Sequence, residues 1–276
     1  EITWVTGVQT CALPICKKKL LPQIKKYLPH TYSRYFEPFC GSACLFFDTL
    51  PQKAVLSDMN SELIHTYLMV KTSPSKVFEF LNGLEVSQEE YKRIRSLEEK
   101  DLEDFQRAGR FIYLNKLCFN GVYRTNLQGR FNVPMGIKTG SIPKLSDLEA
   151  YSECLRDVDF FAEDFESVVG RANADDFIYL DPPYSKPESR KRGEYGPNSF
   201  DYGDIDRLVA VLTSADERGV PFVLSYCESD ILLNAIPSEW SVEHLSVRRH
   251  VAGFHQHRRM VGELLISNRQ IIAGEL

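Results

Sequence analysis

Long apolar stretches are missing from this sequence. No run reaches the length needed to cross a membrane, and no basic-then-apolar secretory signal opens the chain. The seven cysteines lack the spacing of a metal site, since the closest pair, Cys40 and Cys44, has no further cysteine or histidine ligands placed to complete it. The net charge of −5 gives no overall excess of positive charge that would indicate a nucleic-acid partner. We therefore expect a cytoplasmic protein with reduced thiols and no metal, in which any nucleic-acid contact depends on a local basic surface.

The first fifteen residues stand apart from the rest of the 276-residue chain. Residues 1–15 (EITWVTGVQTCALPI) show neither helical periodicity nor strand alternation, and residues 5–15 resemble the translation of a common sequencing adapter. We interpret residues 1–16 as a non-native, adapter-derived segment, with Cys16 encoded by a hybrid codon at the junction. A genuine N-terminal extension is the alternative. On this interpretation, we expect the natural sequence to enter at about Lys17.

The rest of the sequence is organised around the turn Asp181-Pro182-Pro183-Tyr184. It follows a short apolar run, residues 177–180, that is typical of a buried parallel strand. Two prolines fix two φ angles and remove two backbone donors, so the chain leaves the sheet in a stiff turn. Because ligands bind at the carboxyl ends of such strands, a ring stacked on Tyr184 would place an exocyclic amine against the Asp181 carboxylate and the Pro182 carbonyl. The alternative is a turn without function.

An earlier strand leads through a tight turn into a helix. Glu37-Pro38-Phe39 ends an aromatic run, Gly41 permits the tight turn, and a helix is predicted from about Ser42. Strand–glycine–helix units hold nucleotide-like ligands at the helix N-terminus. With a single glycine this is a weak phosphate loop, so a ligand without phosphate, such as S-adenosylmethionine, fits it better.

Two more predicted strands also end in acids. Asp58 follows the run 54–57, at the place where an acid accepts hydrogen bonds from ribose hydroxyls. The alternative role for Asp58 is to cap a helix that begins at Ser61. Asp164 and Phe165 follow the run 158–161, where a carboxylate and a ring can bind the amine and the face of an adenine.

Residues 61–145 have apolar residues at helical spacing and no strong strand, which predicts an inserted, mostly helical subdomain. Its end contains Asn120-Gly121, a hairpin-turn signal. Basic and aromatic residues alternate around that signal: Lys116, Phe119, Tyr123, Arg124, Arg130 and Phe131. Such a segment suits phosphate contacts and the reading of base edges. A solvated hairpin with an aromatic core face is the alternative.

The remaining segments complete an α/β pattern. Helices are predicted over 17–28 and 204–218, a helix from Leu145 runs into the strand at 158–161, and further strands are predicted over 220–225, 240–247 and 260–267, the last two antiparallel. The polar segment 185–198 is predicted to be a lid or substrate loop. The loop 248–259 matches no tetrahedral zinc spacing, so we predict phosphate contacts from its four arginines, Arg248, Arg249, Arg258 and Arg259.

Four segments together resemble the DNA adenine-N6 methyltransferases of the Dam type: EPFCGSACLFF at 37–47, SDMN at 57–60, FNGVYRTNLQGRFNVPMG at 119–136 and DPPY at 181–184. DPPY alone is shared with other amino-methyltransferases of DNA, RNA and protein, whereas the third segment is much more specific. The resemblance, from Lys17 to about Asn268, implies an α/β methyltransferase fold with a Rossmann-like mixed sheet and an inserted helical target-recognition domain. The predicted boundaries are 17–60 and 146–276 for the catalytic domain and 61–145 for the recognition domain.

The resemblance also implies roles for single residues. The target adenine would be held by Asp181, Pro182, Pro183 and Tyr184, with Phe200 nearby. The predicted S-adenosylmethionine pocket is lined by Lys17, Glu37, Pro38, Phe39, Gly41, Asp58, Asp164, Phe165 and Asp181. Arg124 fits a guanine O6/N7 contact and Val122 the side chain that enters the duplex. With the basic residues above, the predicted DNA contacts are Lys116, Asn120, Val122, Arg124, Asn126, Arg130, Arg248, Arg249, Arg258 and Arg259.

The family opens with a segment like K-W-A-G-G-K that covers the cofactor and contacts DNA, and here only Lys17 matches it, at the last lysine. The prediction is a prokaryotic or phage-encoded enzyme that methylates adenine N6 in double-stranded DNA, with G-A-T-C the family's commonest target, after the base is flipped. A cognate restriction enzyme is a conceivable partner; no membrane and no obligate protein partner are expected. The alternatives are an amino-methyltransferase of RNA or protein, and a catalytically impaired DNA-binding protein.

Overall fold

The structure is a computed structural model that describes residues 20–121, 123–126, 128–137, 139–184, 200–248 and 260–269. The described helices are α1 (Leu21–Ile24), α2 (Cys44–Thr49), α3 (Ser61–Thr72), α4 (Pro74–Asn82), α5 (Gln88–Ser96), α6 (Asp104–Leu117), α7 (Leu145–Cys154), α8 (Phe165–Val169), α9 (Tyr202–Glu217) and α10 (Asp230–Ala235). The described strands are β1 (Tyr35–Glu37), β2 (Ala54–Ser57), β3 (Val158–Phe161), β4 (Phe177–Leu180), β5 (Phe222–Cys227), β6 (Ser241–Arg248) and β7 (Met260–Ser267).

The described chain divides into two compact units. The helical unit comprises the described residues of Asn60–Ala162, and the sheet unit comprises residues 20–59, 163–184, 200–248 and 260–269. The domain boundaries drawn from the sequence remain predictions.

The sheet unit is built on a mixed sheet, as the sequence predicts. Its six strands pair in the order β2-β1-β4-β5-β7-β6. The first four are parallel and almost entirely buried, which explains why each is a short apolar run. β7 runs antiparallel to both β5 and β6, so the predicted terminal pair is confirmed. Because β2 and β4 flank β1 on opposite sides, the β1–β4 boundary is a topological switch point, where open α/β sheets bind ligands.

The helical unit is centred on α6, which packs against α3, α4 and α5. Tyr91, Tyr113 and Leu117 are buried in its core. Gly109 permits a close approach inside this core, because a Cβ there would lie 2.4 Å from Cδ1 of the Phe80 ring. β3 also belongs to this unit.

Asn60, and not Asp58, caps α3. Its side-chain oxygen accepts hydrogen bonds from the backbone N–H groups of Glu62 at 3.1 Å and Leu63 at 3.2 Å. The capping role considered for Asp58 is therefore wrong. Asn60, two residues after Asp58, is the residue whose side chain can reach the free N–H groups in the first turn of the helix.

Two local turns also differ from expectation. The helix predicted from Ser42 begins at Cys44, because Ala43 is left-handed with φ 48°. Asn120 and Gly121 are both left-handed, as a hairpin turn requires, yet they lie in a short 3₁₀ segment. The antiparallel bridges instead join Cys118 to Met135 and Thr125 to Phe131. The reverse turn is therefore at residues 126–129, where the Gly129 N–H donates to the Asn126 carbonyl.

Within the described residues, no helix is long and apolar enough to span a bilayer. The same residues include no cluster of three or more His, Cys, Asp or Glu arranged to hold a metal ion.

Asn60→Ala should lower the free energy of unfolding by about 1–2 kcal/mol, because two N–H groups of α3 lose their acceptor. Urea unfolding measures this loss. Ser73→Ala is the matched control, since Ser73 occupies the N-cap of α4 without a side-chain capping bond. Equal losses for the two variants would contradict the assignment of the cap.

Candidate active site

Two acids lie at the switch point of the sheet. Glu37 ends β1 and is 3% exposed, and Asp181 directly follows β4. The Tyr35 hydroxyl donates a hydrogen bond to the Glu37 carboxylate at 2.8 Å. Burial raises the pKa of Glu37 to about 8, with the nearby charge of Asp181 adding to the rise and the Tyr35 bond opposing it. At neutral pH, most of the protein molecules therefore carry a protonated Glu37, which limits the repulsion between Glu37 and Asp181.

The turn after β1 is tied to the end of β2. Gly41 has φ 45°, a left-handed conformation that glycine adopts without strain, and its N–H donates to Asp58 Oδ2 at 3.1 Å. The Cys40 N–H donates to the Ser57 carbonyl at 2.8 Å. Both bonds bring the predicted ribose-binding acid beside the predicted cofactor turn.

Asp164 and Phe165 share one arginine. Asp164 caps α8 by accepting from the Glu166 N–H at 3.0 Å, and it accepts a second bond from Arg207 at 2.9 Å. The Arg207 guanidinium also lies 5.0 Å from the centre of the Phe165 ring. The sequence does not predict Arg207 at this site, because its bonds to Asp164 and Glu166 reach about forty positions back along the chain.

Tyr184 is anchored at its hydroxyl group. This hydroxyl donates to the Glu263 carboxylate, at 2.8 Å from Oε1 and 3.0 Å from Oε2. The Tyr184 ring meets Tyr226 of β5 edge-to-face, with centroids 5.5 Å apart. Neither Glu263 nor Tyr226 is among the site residues predicted from the sequence. An acid inside the apolar strand β7 was the available signal for Glu263, and a tyrosine near the carboxyl end of a parallel strand was the signal for Tyr226.

A series of aromatic rings connects the cofactor side to the target side. Phe165 lies 5.2 Å from Phe39, and Phe39 lies 6.0 Å from Phe200. Phe200 in turn lies 6.4 Å from Tyr226, which contacts Tyr184. The sheet unit therefore places the residues predicted for the cofactor and those predicted for the target adenine along the same edge.

These residues fit S-adenosylmethionine by their chemistry. A Cβ built at Gly41 would meet no heavy atom within 4 Å, so a ligand can approach the backbone of the turn. The carboxyl groups of Asp58 and Asp164 offer acceptors for hydroxyl and amine groups. The rings of Phe39 and Phe165 offer apolar faces for a planar base.

The segment at residues 119–136, called the recognition segment below, belongs to the helical unit, and its described residues have contacts of their own. Arg124 donates from Nε to Asn132 Oδ1 at 3.0 Å, and the exposed Arg130 pairs with Glu98 at 2.8 Å. Asn126 accepts from the N–H groups of Gln128 and Arg130, both at 3.0 Å, so its oxygen already shapes the turn. Asn126 and Arg130 border a cavity of about 320 Å³, together with Arg95, Glu98, Arg110 and Asn132.

The other predicted DNA contacts are of three kinds. Asn120 is exposed, as a DNA contact requires. Lys116 is only 9% exposed, and burial lowers its pKa to about 8, which makes it a poor phosphate contact. Val122, Arg249, Arg258, Arg259 and the side chain of Arg248 lie outside the described residues. The same is true of Lys17, which was predicted to bind the cofactor, and of the predicted lid or substrate loop 185–198.

Comparison with known proteins identifies the family. The family model of the D12 class N6 adenine-specific DNA methyltransferases matches residues 16–251. The chain is 34% identical over 264 residues to the type II methyltransferase M1.LlaDCHI of Lactococcus lactis subsp. cremoris, covering 91% of this chain and 92% of that protein. It is 31% identical over 259 residues to the DNA adenine methylase of Escherichia coli strain K12, covering 90% and 91%. Among solved structures, TrmN from Thermus thermophilus gives a TM-score of 0.42 at 12% identity, covering 94% of this chain and 50% of that one.

The chain belongs to the D12 class of N6 adenine-specific DNA methyltransferases. This confirms the predicted family and the predicted enzyme class, an adenine-specific DNA methyltransferase. Its cofactor is S-adenosylmethionine, the methyl donor predicted from the sequence.

Glu37→Gln should remove a pH dependence of stability. The folded-state pKa of Glu37 is raised to about 8 from 4.5, so the stability it contributes is fully present below about pH 4.5 and is lost as pH rises toward 8. Within this window the wild type should lose up to about 1.4 kcal/mol per pH unit relative to the variant. Urea unfolding at several pH values between 5 and 8 measures the difference. A difference that does not change with pH would contradict the burial of an ionisable Glu37.

Proposed function

We propose that this enzyme methylates the N6 amine of adenine in double-stranded DNA, with GATC as its target, after flipping the base into the pocket at the β1–β4 switch point. The observation that carries the proposal is the Asp-Pro-Pro-Tyr turn beside the buried Glu37, at the edge where an α/β sheet binds its ligand. Flipping is required because the amine is inaccessible inside the duplex, and it costs a few kcal/mol of unstacking and unpairing.

On the cofactor side, the pocket is formed by residues after β1, β2 and β3. Asp58 holds the ribose hydroxyls, and Asp164 and Phe165 hold the adenine of the cofactor. Glu37 and Phe39 line the remainder, and Gly41 lets the backbone approach closely. When bound, S-adenosylmethionine supplies a methyl group activated by its sulfonium. The Gly41–Asp58 hydrogen bond and the contact between the Phe39 and Phe165 rings support this arrangement.

On the target side, Tyr184 stacks on the flipped adenine. The Asp181 carboxylate and the Pro182 carbonyl accept hydrogen bonds from the two N–H groups of the amine. These bonds draw the nitrogen lone pair out of conjugation with the ring and orient it toward the methyl group. Positioning and electrostatics therefore provide most of the catalysis.

In the helical unit, the recognition segment contacts DNA. Arg124 reads a guanine through its O6 and N7 atoms, and Asn132 orients its guanidinium group. Arg130 and Arg95, which border the polar cavity, contact phosphates. The name of the Lactococcus relative, a type II methyltransferase, supports a role in restriction–modification with a cognate restriction enzyme.

Asp181→Ala should abolish DNA methylation and leave the dissociation constant for S-adenosylmethionine within about threefold of wild type, because the lost carboxylate faces the target amine. Methyl transfer to a GATC duplex and calorimetry with the cofactor measure the two effects. Asp181→Asn, which keeps the shape of the side chain, should also be strongly impaired. Retained methylation in either variant would refute the assignment.

Two measurements on the wild-type chain separate the alternative functions. Calorimetry measures binding: a chain that binds DNA without binding S-adenosylmethionine is an impaired DNA-binding protein. A methylation assay on duplex DNA, RNA and protein measures activity: preferential methylation of RNA or protein would show that the proposed substrate is wrong.

Arg124→Ala and Arg130→Ala should weaken DNA binding in different ways. Loss of Arg124 should cost about 1–3 kcal/mol and relax discrimination at one base pair of the target. Loss of Arg130 should weaken binding to all sequences alike and reduce the salt slope by about 1. Binding of GATC and single-substituted duplexes at several salt concentrations distinguishes them. Equal effects on all sequences from both variants would remove Arg124 from base reading.

A further inference from the structure

Glu263 is a fully buried acid in an otherwise apolar part of β7. The strand pairs it with Cys227, at the carboxyl end of β5, and with Leu245 of β6. A buried carboxylate is costly unless hydrogen bonds compensate for the lost water. Its retention here therefore calls for a reason other than packing.

The hydrogen-bond partner of Glu263 belongs to the Asp-Pro-Pro-Tyr turn. The Tyr184 hydroxyl lies within hydrogen-bond distance of both carboxylate oxygens, at 2.8 and 3.0 Å. This hydrogen bond provides a partner for a polar group that burial has removed from water. It ties the end of the Tyr184 ring to a strand 79 residues further along the chain.

Other contacts fix the same ring. Tyr226 meets it edge-to-face, with the two planes at 86°. Pro182 and Pro183 restrict the backbone from which Tyr184 projects. The ring is thus restrained at its hydroxyl, at its aromatic contact and at its backbone.

We propose that Glu263 is a positioning residue that holds the Tyr184 ring at the place where it stacks on the flipped adenine, while the edge of Tyr226 limits rotation of the ring plane. The inference rests on the proposed function, in which Tyr184 is the stacking partner. A ring that is oriented before the base arrives loses little rotational freedom on binding, so the amine reaches Asp181 in reactive geometry more often. Glu263 acts through Tyr184 and does not contact the substrate.

Three substitutions test this role. Glu263→Leu removes the acceptor and should slow single-turnover methylation by about tenfold to a hundredfold. It should also weaken the fluorescence response of 2-aminopurine at the target position, while the dissociation constant for S-adenosylmethionine is unchanged. Glu263→Gln keeps an accepting oxygen and should recover to within about threefold of wild type. Tyr184→Phe removes the same bond and should behave like Glu263→Leu.

The double variant Tyr184→Phe with Glu263→Leu should be no slower than either single variant, because all three lack the same bond. Losses that multiply, or a wild-type rate in folded Glu263→Leu, would overturn the proposal. If Glu263→Leu does not fold, Tyr184→Phe decides alone, since a full rate and fluorescence response there also overturn it.

The matched control is a second tyrosine–glutamate pair in the sheet unit. The Tyr27 hydroxyl donates to Glu243 at 3.0 Å, so Glu243→Leu breaks an equivalent bond and should keep the wild-type rate. Equal slowing in this control would make the effect of Glu263 a general loss of stability. Tyr184→Ala separates the two claims. If it methylates normally, the stacking role in the proposed function fails; if it alone is impaired, that role stands and the positioning role fails.

Discussion

Buried carboxyl groups held by tyrosine hydroxyls are the constraint on which the sheet unit depends. Glu37 and Glu263 are each nearly or fully excluded from solvent, and each accepts a tyrosine hydroxyl at 2.8 Å, from Tyr35 and Tyr184 respectively. Such groups destabilise a fold unless their hydrogen bonds are satisfied. Glu37 and Glu263 stay buried at the edge where the parallel strands end. That edge is therefore polar and aromatic, which suits a cationic cofactor and a planar base. These buried carboxyl groups therefore lower the stability of the sheet unit at the edge where the proposed methyl transfer takes place.

The proposed function divides the activity between two kinds of surface. In this proposal, carboxylates and aromatic rings at the edge of the sheet position a methyl donor and an amine, which calls for rigidity and a low exposure to water. In the same proposal, arginine and asparagine side chains of the recognition segment contact phosphates and base edges, and these contacts depend on salt. The overall negative charge is compatible with DNA binding, because the basic residues are concentrated in short segments of the chain.

Local patterns predicted much of this structure, and long-range contacts account for what they missed. Short apolar runs predicted the parallel strands, and acids at the ends of β1, β2, β3 and β4 predicted Glu37, Asp58, Asp164 and Asp181 as site residues, because ligands bind at the carboxyl ends of such strands. Asn60 caps α3, and not Asp58, for which capping was the alternative role, since both residue types are able to cap and only the helix geometry chooses. The Tyr184–Glu263 bond and the bonds from Arg207 to Asp164 and Glu166 join residues 40 or more positions apart, and no spacing rule reaches that far. The turn at 126–129 replaced the Asn120-Gly121 hairpin because strand pairing, and not the turn signal, sets the register.

The central claim is that the Asp181–Tyr184 pocket methylates adenine N6 in a defined DNA sequence. Methylation-aware sequencing of unmethylated DNA treated with the protein and S-adenosylmethionine tests it most directly. The treatment is repeated with residues 1–16 replaced by the K-W-A-G-G opening of the family, and with Asp181→Ala in each background. We predict N6-methyladenine at GATC sites with the replaced opening, and none with either Asp181→Ala variant. A folded protein with the replaced opening that binds both the cofactor and DNA but leaves every adenine unmodified would contradict the account.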